Sequence, residues 1–214
     1  MTTLSDTFLF IAQGILVTLE LMAGGLMIGL MIGTGLAILR HQHIAKLLIN
    51  RFISLMRGTP LILQLSFIYF AVPSLLGLRA DVMVAGILTF GLNSSAYIAE
   101  IIRSGIEGIP RGQFEAAKVL QIPNFYLWKD IILPQVLKII WPSLTNEMIA
   151  LLKETALIST IGGMDLMRKA QLIAAEQFTY FLPLCIAGFY YYGFVLFIEY
   201  LGKKFELRMS HANA

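Results

Sequence analysis

Residues 115–134 read Glu115-Ala116-Ala117-Lys118-Val119-Leu120-Gln121-Ile122-Pro123-Asn124-Phe125-Tyr126-Leu127-Trp128-Lys129-Asp130-Ile131-Ile132-Leu133-Pro134. This is one of the few polar stretches in a strongly apolar chain. It has room for one short helix starting at Gln113, a break at Pro123 and a second short helix ending before Pro134. Flanked by two apolar segments, it is expected to fold as a knob projecting from a membrane protein.

The rest of the sequence supplies the membrane. Of 214 residues, 57% are hydrophobic and 14% charged, and the mean hydropathy is +0.77. A chain of that composition has too little polar surface to be wetted, so its solvent is lipid. The net charge of +3 is too small to argue for nucleic acid. The single cysteine, Cys185, lies in an apolar run and gives no disulfide framework. Residues 1–39 hold no Lys or Arg, and their apolar run is too long for a cleavable signal; it reads as a retained first span.

Apolar runs of spanning length fall at about 12–39, 52–73, 82–102, 136–160 and 182–201. Twelve of the sixteen Lys and Arg residues lie on one side of these five spans: Arg40, Lys46, Arg51, Arg57, Arg103, Arg111, Lys118, Lys129, Lys138, Lys203, Lys204 and Arg208. That side is cytoplasmic by the positive-inside rule. The N-terminus is then expected outside, with the C-terminus and the Glu115 loop inside. The expected fold is all-α.

Outward from the loop, polar residues interrupt each apolar span. Gly25, Gly29 and Gly33 make a bare ridge in the first span, suited to intrachain packing or to a subunit contact. His41 and His43 share a basic loop without a Cys or acid nearby, which is not a metal-ligand set. Arg57-Gly58-Thr59-Pro60 opens the second span; Arg57 is placed to snorkel and Pro60 to kink the helix. Gln64 lies about a turn deeper, either in an interhelical hydrogen bond or along a substrate path. Asn93, Tyr97, Glu100 and Ser104 share one face of the third span. For Glu100 the spacing allows an ion pair with Arg103 or a place lining a pathway.

Trp141-Pro142 is expected to begin the fourth span, the most polar, with Asn146, Glu147, Lys153, Glu154, Thr155 and Ser159. Lys153 and Glu154 either satisfy charges on neighbouring helices or border a pocket for a zwitterion, Glu154 toward ammonium and Lys153 toward carboxylate. Gly162-Gly163 end that helix. Residues 164–177 then alternate apolar Leu166, Ala170, Ile173 and Ala174 with charge, as an amphipathic helix on the outer surface. The last span ends in a basic tail.

The loop resembles the EAA loop of the membrane subunits of binding-protein-dependent ABC importers, in which a glutamate and two alanines precede a glycine and Ile-x-Leu-Pro closes the segment. Glu115, Ala116, Ala117, Ile131, Leu133 and Pro134 fit; Gln121 stands where the family usually has glycine, which puts the turn after the helix in question because glutamine tolerates positive φ poorly. Arg57-Gly58-Thr59-Pro60 with Gln64, the run Asn93 to Arg103, and Lys153-Glu154-Thr155 with Ala156 in place of serine resemble the polar amino-acid branch. The resemblance implies a single transmembrane domain over 1–214, with 103–135 as the EAA loop. Its coupling helix, carrying Gln113, Glu115, Ala116, Ala117, Leu120 and Gln121, would rest on a separate ATPase subunit that holds ATP and Mg. It also implies a second permease subunit, a solute-binding protein outside, and a bacterial inner membrane.

Two other classes compete. An autonomous secondary amino-acid transporter commonly shows internal repeats, and none is found here. An intramembrane enzyme needs a nucleophile with a base or a metal cluster; no HExxH, GxSxG or nucleotide-binding Gly-rich loop is present. The substrate-path candidates are therefore Gln64, Asn93, Tyr97, Glu100, Lys153, Glu154, Thr155 and Ser159. The acids Glu20, Glu100, Glu147 and Glu154 outnumber Lys153, which tilts the substrate toward a cationic amino acid.

Overall fold

A computed structural model describes residues 4–211. The two chain ends, 1–3 and 212–214, lie outside the described residues, so the sides assigned to them by charge lie outside as well. The described residues run in order through α1 (Leu4–Ala12), α2 (Ile15–His41), α3 (Lys46–Gly58), α4 (Leu61–Ser66), a π-turn (Phe67–Ala71), α5 (Val72–Leu76) and α6 (Val82–Glu107). There follow α7 (Arg111–Val119), α8 (Asn124–Tyr126), a second π-turn (Leu127–Ile132), α9 (Leu133–Glu154), a 3₁₀ segment (Thr155–Ile161), α10 (Leu166–Gln177) and α11 (Phe181–His211).

Helix α6 is the axis of the molecule. It is much the most buried of the three long apolar helices, the others being Leu4–His41 and Phe181–Met209. Its small residues explain this position: Ala85, Gly86, Thr89, Ser94, Ser95, Ala96 and Ala99 are all buried and let neighbours approach. The Gly25, Gly29, Gly33 ridge of α2 packs here. A Cβ on Gly29 would lie 2.9 Å from Ser94 Oγ, and one on Gly33 2.7 Å from the Ser95 carbonyl oxygen. Of the two expectations for the ridge, the intrachain contact is the one formed. Around this seam Leu21, Met22, Leu65, Phe90, Leu151, Leu152, Ile158 and Ile198 form the main core.

The span boundaries differ from the sequence reading in three places. The run expected at 52–73 is not one kinked helix: α3 and the helical stretch Leu61–Leu76 meet at 105°. Pro60 pushes the preceding Thr59 into extended geometry (φ −116°, ψ 146°) and itself takes ψ 132°, so two successive residues leave the helix. The first span starts earlier, as α1, and breaks at Gln13-Gly14 before α2. Gly14 packs directly on the backbone of Asp165 and Leu166, where a Cβ does not fit. The third difference is in the fourth span. Pro134 does not end a helix: the helical run passes without a break from the π-turn through Ile132 (φ −79°, ψ −53°) into α9, with Pro134 at the junction, and Pro142 lies inside α9 rather than at its start.

Among the described residues three helices are long and apolar enough to cross a membrane, Leu4–His41, Val82–Glu107 and Phe181–Met209, or four if the bent pair counts as one. Helix α9 is not among them, because Lys138, Asn146, Glu147, Lys153 and Glu154 lower its hydropathy. The helix expected at 164–177 is present as α10, with the anticipated Leu166, Ala170, Ile173 and Ala174 buried. Leu166 and Ala170 pack on Ile11 of α1 and on Ile186 and Ala187 of α11.

Candidate functional site: a helical knob and a polar seam

The knob has its own small core. Ile109, Ala117, Leu127, Ile132, Val136 and Ile140 are buried together, with Phe114, Ile122 and Trp128 packed against them. Because Val136 and Ile140 belong to α9 and the partly buried Ile102 and Ile106 to α6, the knob is locked to the ends of both helices. The two alanines of the motif do different things. Successive helical residues are 100° apart, so Ala117 faces the core (2% exposed) while Ala116 faces out. Beside Ala116, Glu115, Leu120 and Gln121 are exposed and Gln113 is half-buried.

Gln121 adopts the left-handed conformation that its position demands, at φ 53°. The Ile122 N–H donates to the Ala117 carbonyl at 3.0 Å and the Gln121 N–H to the Lys118 carbonyl at 3.2 Å. This is the hydrogen-bond pattern of a Schellman helix end, whose C′ residue is usually glycine. The turn geometry is thus kept, with a glutamine bearing the strain.

Glu100 sits at the centre of an arginine cluster. Its carboxylate accepts from Arg40 of α2, from Arg103 Nη2 at 2.8 Å and Nε at 3.0 Å, and lies 3.7 Å from Arg57 Nη1 of α3. Arg103 also pairs with Glu107, and the Arg57 guanidinium lies 5.3 Å over the Tyr97 ring. The expected pair with Arg103 is present, joined by two arginines that the sequence reading had assigned to topology and headgroup snorkelling. No spacing rule links positions 40, 57 and 100; only the packing of three helices does.

Deeper along α6, Asn93 and Gln64 attend to the broken helix. Gln64 Nε2 donates to the Met56 carbonyl at 2.8 Å, the Thr59 carbonyl at 3.2 Å and Thr59 Oγ1 at 2.9 Å. Asn93 Nδ2 donates to the Met56 carbonyl at 3.1 Å and to Gln64 Oε1 at 3.2 Å. The break at Thr59-Pro60 leaves carbonyls of α3 without intrahelical donors, and these two amides supply them.

On α9, Ser94 Oγ of α6 donates to Glu147 Oε1 at 2.7 Å. Glu154, two turns along from Glu147, lies on the same side and within its electrostatic reach. Lys153, next to Glu154 in the chain, also lies within electrostatic reach of it, and with Ala156, Met167, Leu184, Ala187, Gly188 and Tyr191 it lines a cavity of about 260 Å³. Thr155 is buried and Ser159 nearly so, each hydroxyl donating to the carbonyl three residues back (Leu152 and Ala156).

The sequence reading missed Asp165. Fully buried, it caps α10 by accepting from the Arg168 and Met167 N–H groups and from Tyr191 Oη of α11 at 3.0 Å. Burial pushes its carboxyl above the usual aspartate range, against the hydrogen bonds from Arg168, Tyr191 and Met167 that favour the charged form. An acid just before an apolar-periodic run, after Gly162-Gly163, was the available signal.

A helical bundle with an apolar exterior, a polar seam along its central helix and a compact knob at one end has the architecture of a membrane-embedded subunit. The chain belongs to the family of binding-protein-dependent transport system inner membrane components, whose model matches residues 25–211. Among relatives, the putative glutamine transport system permease protein GlnP of Rickettsia typhi is 48% identical over 203 residues, covering 94% of this chain and 93% of that one. The arginine transport system permease protein ArtQ of Bacillus subtilis is 40% identical, with the same shares covered. A solved structure described as an amino acid ABC transporter with histidines has 37% identity and a TM-score of 0.87, covering 93% and 94% of the two chains. The resemblance carried by the Glu115 loop is borne out at the level of the family.

Proposed function

We propose that this chain is the permease subunit of an ATP-driven importer of polar amino acids in a bacterial inner membrane. The observation that carries this reading is the knob. Its body is locked to α6 and α9, while its tip presents Val119, Leu120 and Phe125 at 82%, 71% and 67% exposure. An apolar tip on a rigid mount suits insertion into a groove of a soluble partner. In this reading the partner is an ABC ATPase that holds ATP and Mg, and α7, with Gln113, Glu115, Ala116, Leu120 and Gln121, is the coupling helix. The chain itself hydrolyses nothing. In this reading the bent pair and α9 join the three apolar helices to make five spans. The N-terminus and α10 then lie outside and the knob inside, all of 1–214 making one transmembrane domain. A second permease subunit completes the pathway and a solute-binding protein delivers to it.

Relatives named for glutamine and arginine transport support an amino acid as cargo. The arginine cluster around Glu100 weakens its candidacy as a substrate contact, and Glu20 is exposed. The cationic reading therefore rests on Glu147 and Glu154, which share one side of α9 beside the seam. In this reading Gln64, Asn93, Tyr97, Thr155 and Ser159 are scaffold rather than substrate contacts, supported by their hydrogen bonds and by the Arg57 guanidinium over the Tyr97 ring.

The test is co-purification of the chain with its ATPase, together with uptake by the reconstituted complex and binding protein across cationic, neutral polar and acidic amino acids. Leu120→Asp and Glu115→Lys are expected to abolish ATPase attachment and uptake while leaving the permease folded. Intact attachment in both variants would sink the coupling role. Selective cationic uptake lost in Glu154→Gln would support the acidic site; indifference would leave selectivity to the binding protein.

A further inference from the structure

One long cleft on the surface is not used by the reading above. At its upper end is a chamber of about 260 Å³ lined by Arg40, His41, His43, Lys46, Arg103 and Glu107. Below it, Ile38, His41, Ile102, Ile106 and Trp128 line a cavity of about 330 Å³. This leads, through the shared Ile38, Ile102, Ile106 and Trp128, into an apolar groove of about 750 Å³ between α2, α6 and α9. The three cavities form one basic-headed, apolar-tailed channel.

Its dimensions and charge select an occupant. From Leu30 to Arg40 on α2, and from Leu133 to Leu144 on α9, the walls rise roughly 15 Å at 1.5 Å per residue, half of a hydrocarbon core of about 30 Å. The groove is therefore one leaflet deep. In the chamber Arg40 and Arg103 are partly neutralised by Glu100 and Glu107, but Lys46 pairs with no acid among the described residues. His41 sits edge-on to Trp128, ring centroids 5.0 Å apart, at the border where the basic part meets the apolar part. We propose that this cleft binds an anionic phospholipid, the headgroup phosphate in the Arg40, His43, Lys46 chamber and an acyl chain along the groove past Ile38 and Leu137. Basic pockets at the cytoplasmic ends of membrane helices hold such headgroups. A second copy of this chain, with a net charge of +3, offers the basic chamber no overall charge complement. The site stands on the cleft alone; only its assignment to the inner leaflet rests on the orientation proposed above.

The experiment is photolabelling of the full-length chain, purified in a phosphatidylcholine background, with phosphatidylglycerol carrying a diazirine on one acyl chain. Peptide mapping should place the label within residues 30–38, 98–106 and 133–144. Lys46→Gln should reduce labelling about fivefold, the effect of one basic contact to an anionic headgroup, and Ile38→Trp should block the groove as strongly. Lys203→Glu, in the tail outside the cleft, should change nothing. Equal labelling by the phosphatidylcholine analogue, or indifference to both cleft variants while the thermal unfolding midpoint holds, would overturn the proposal. So would displacement of the lipid by millimolar inorganic phosphate, which would make the chamber a free-phosphate site. A spontaneous disulfide dimer of Ile38→Cys in a background of Cys185→Ser would overturn it too, by showing a second copy in the groove.

Discussion

Arg40 on α2 donates a hydrogen bond to Oε1 of Glu100 on α6, sixty residues further along the chain. The contact ties the C-terminal parts of two helices that also meet along a glycine ridge. With Arg57 and Arg103 on the same carboxylate, one acid holds three cationic side chains from three helices.

Glu100→Gln is expected to destabilise the chain by about 2 kcal/mol, since hydrogen bonds to charged groups contribute about 1.5–3 kcal/mol each and three arginines would lose their counter-charge. Uptake should fall with folded protein, while the preference among amino acids stays unchanged. A thermal unfolding scan beside a competition series separates the two; a shifted preference with an unshifted midpoint would place Glu100 on the substrate path.

The alternation along α2 makes a graded series. Gly33→Ala puts a Cβ against the backbone oxygen of Ser95, which cannot turn aside, and is expected to cost about 1–3 kcal/mol. Gly29→Ala meets the movable Ser94 hydroxyl and should cost less. Gly35→Ala has open space and should stabilise by about 0.5–1 kcal/mol through helix propensity. Unfolding midpoints in one detergent should follow that order.

At the end of α7, Gln121→Gly should raise stability of the knob by about 1 kcal/mol, because a non-glycine residue bears roughly that penalty in the left-handed region. A β-branched Gln121→Val should lower it. Proteolysis of the segment 109–132 reads this locally; equal cleavage rates in all three would show that the turn relaxes without strain.

Leu120→Asp and Ala117→Leu attack the knob from its two sides. The first alters only the exposed tip, so it should release the ATPase at an unchanged unfolding midpoint. The second overfills the core formed with Ile109, Leu127 and Ile132 and should lower the midpoint, at about 1–3 kcal/mol. If both variants shift the midpoint alike, the tip is not a free docking surface.

Asp165 gives a pH dependence whose sign is fixed. Its folded carboxyl titrates above the ordinary aspartate value of about 3.9, so between those two values the folded state binds more protons than the unfolded one. Its contribution is then fully present below about pH 3.9 and declines as pH rises through the folded value. Asp165→Asn retains a capping oxygen and cannot titrate. Its stability deficit relative to the parent should therefore be largest in acid and shrink as pH rises; a deficit growing with pH would reverse the assignment.

Much of the architecture was legible because it rests on local rules. Helix existence followed from apolar length, α10 from the period of Leu166, Ala170, Ile173 and Ala174, and the loop from Pro123 and its polar residues. The strength of the break at Pro60 was not: a proline predicts a kink, and whether it becomes 105° depends on whether Gln64 and Asn93 are there to satisfy the freed carbonyls. Pro134 was misread for the converse reason, since a proline that ends a helix and one at a junction within a continuous helical run look alike until the neighbouring turns are known.

By itself the sequence determined that the chain lives in lipid, that the polar loop at 115–134 folds into short helices, and that a face of the third apolar span is polar; each follows from composition or from a fixed helical period. Tertiary structure alone decided that Arg40 and Arg57 join Arg103 around Glu100, and that Asp165 is buried with Tyr191 donating to it. Those outcomes depend on which helices meet and at what rotation. That is set by the packing of glycine and small side chains along α6, a global fit of surfaces that no local spacing encodes.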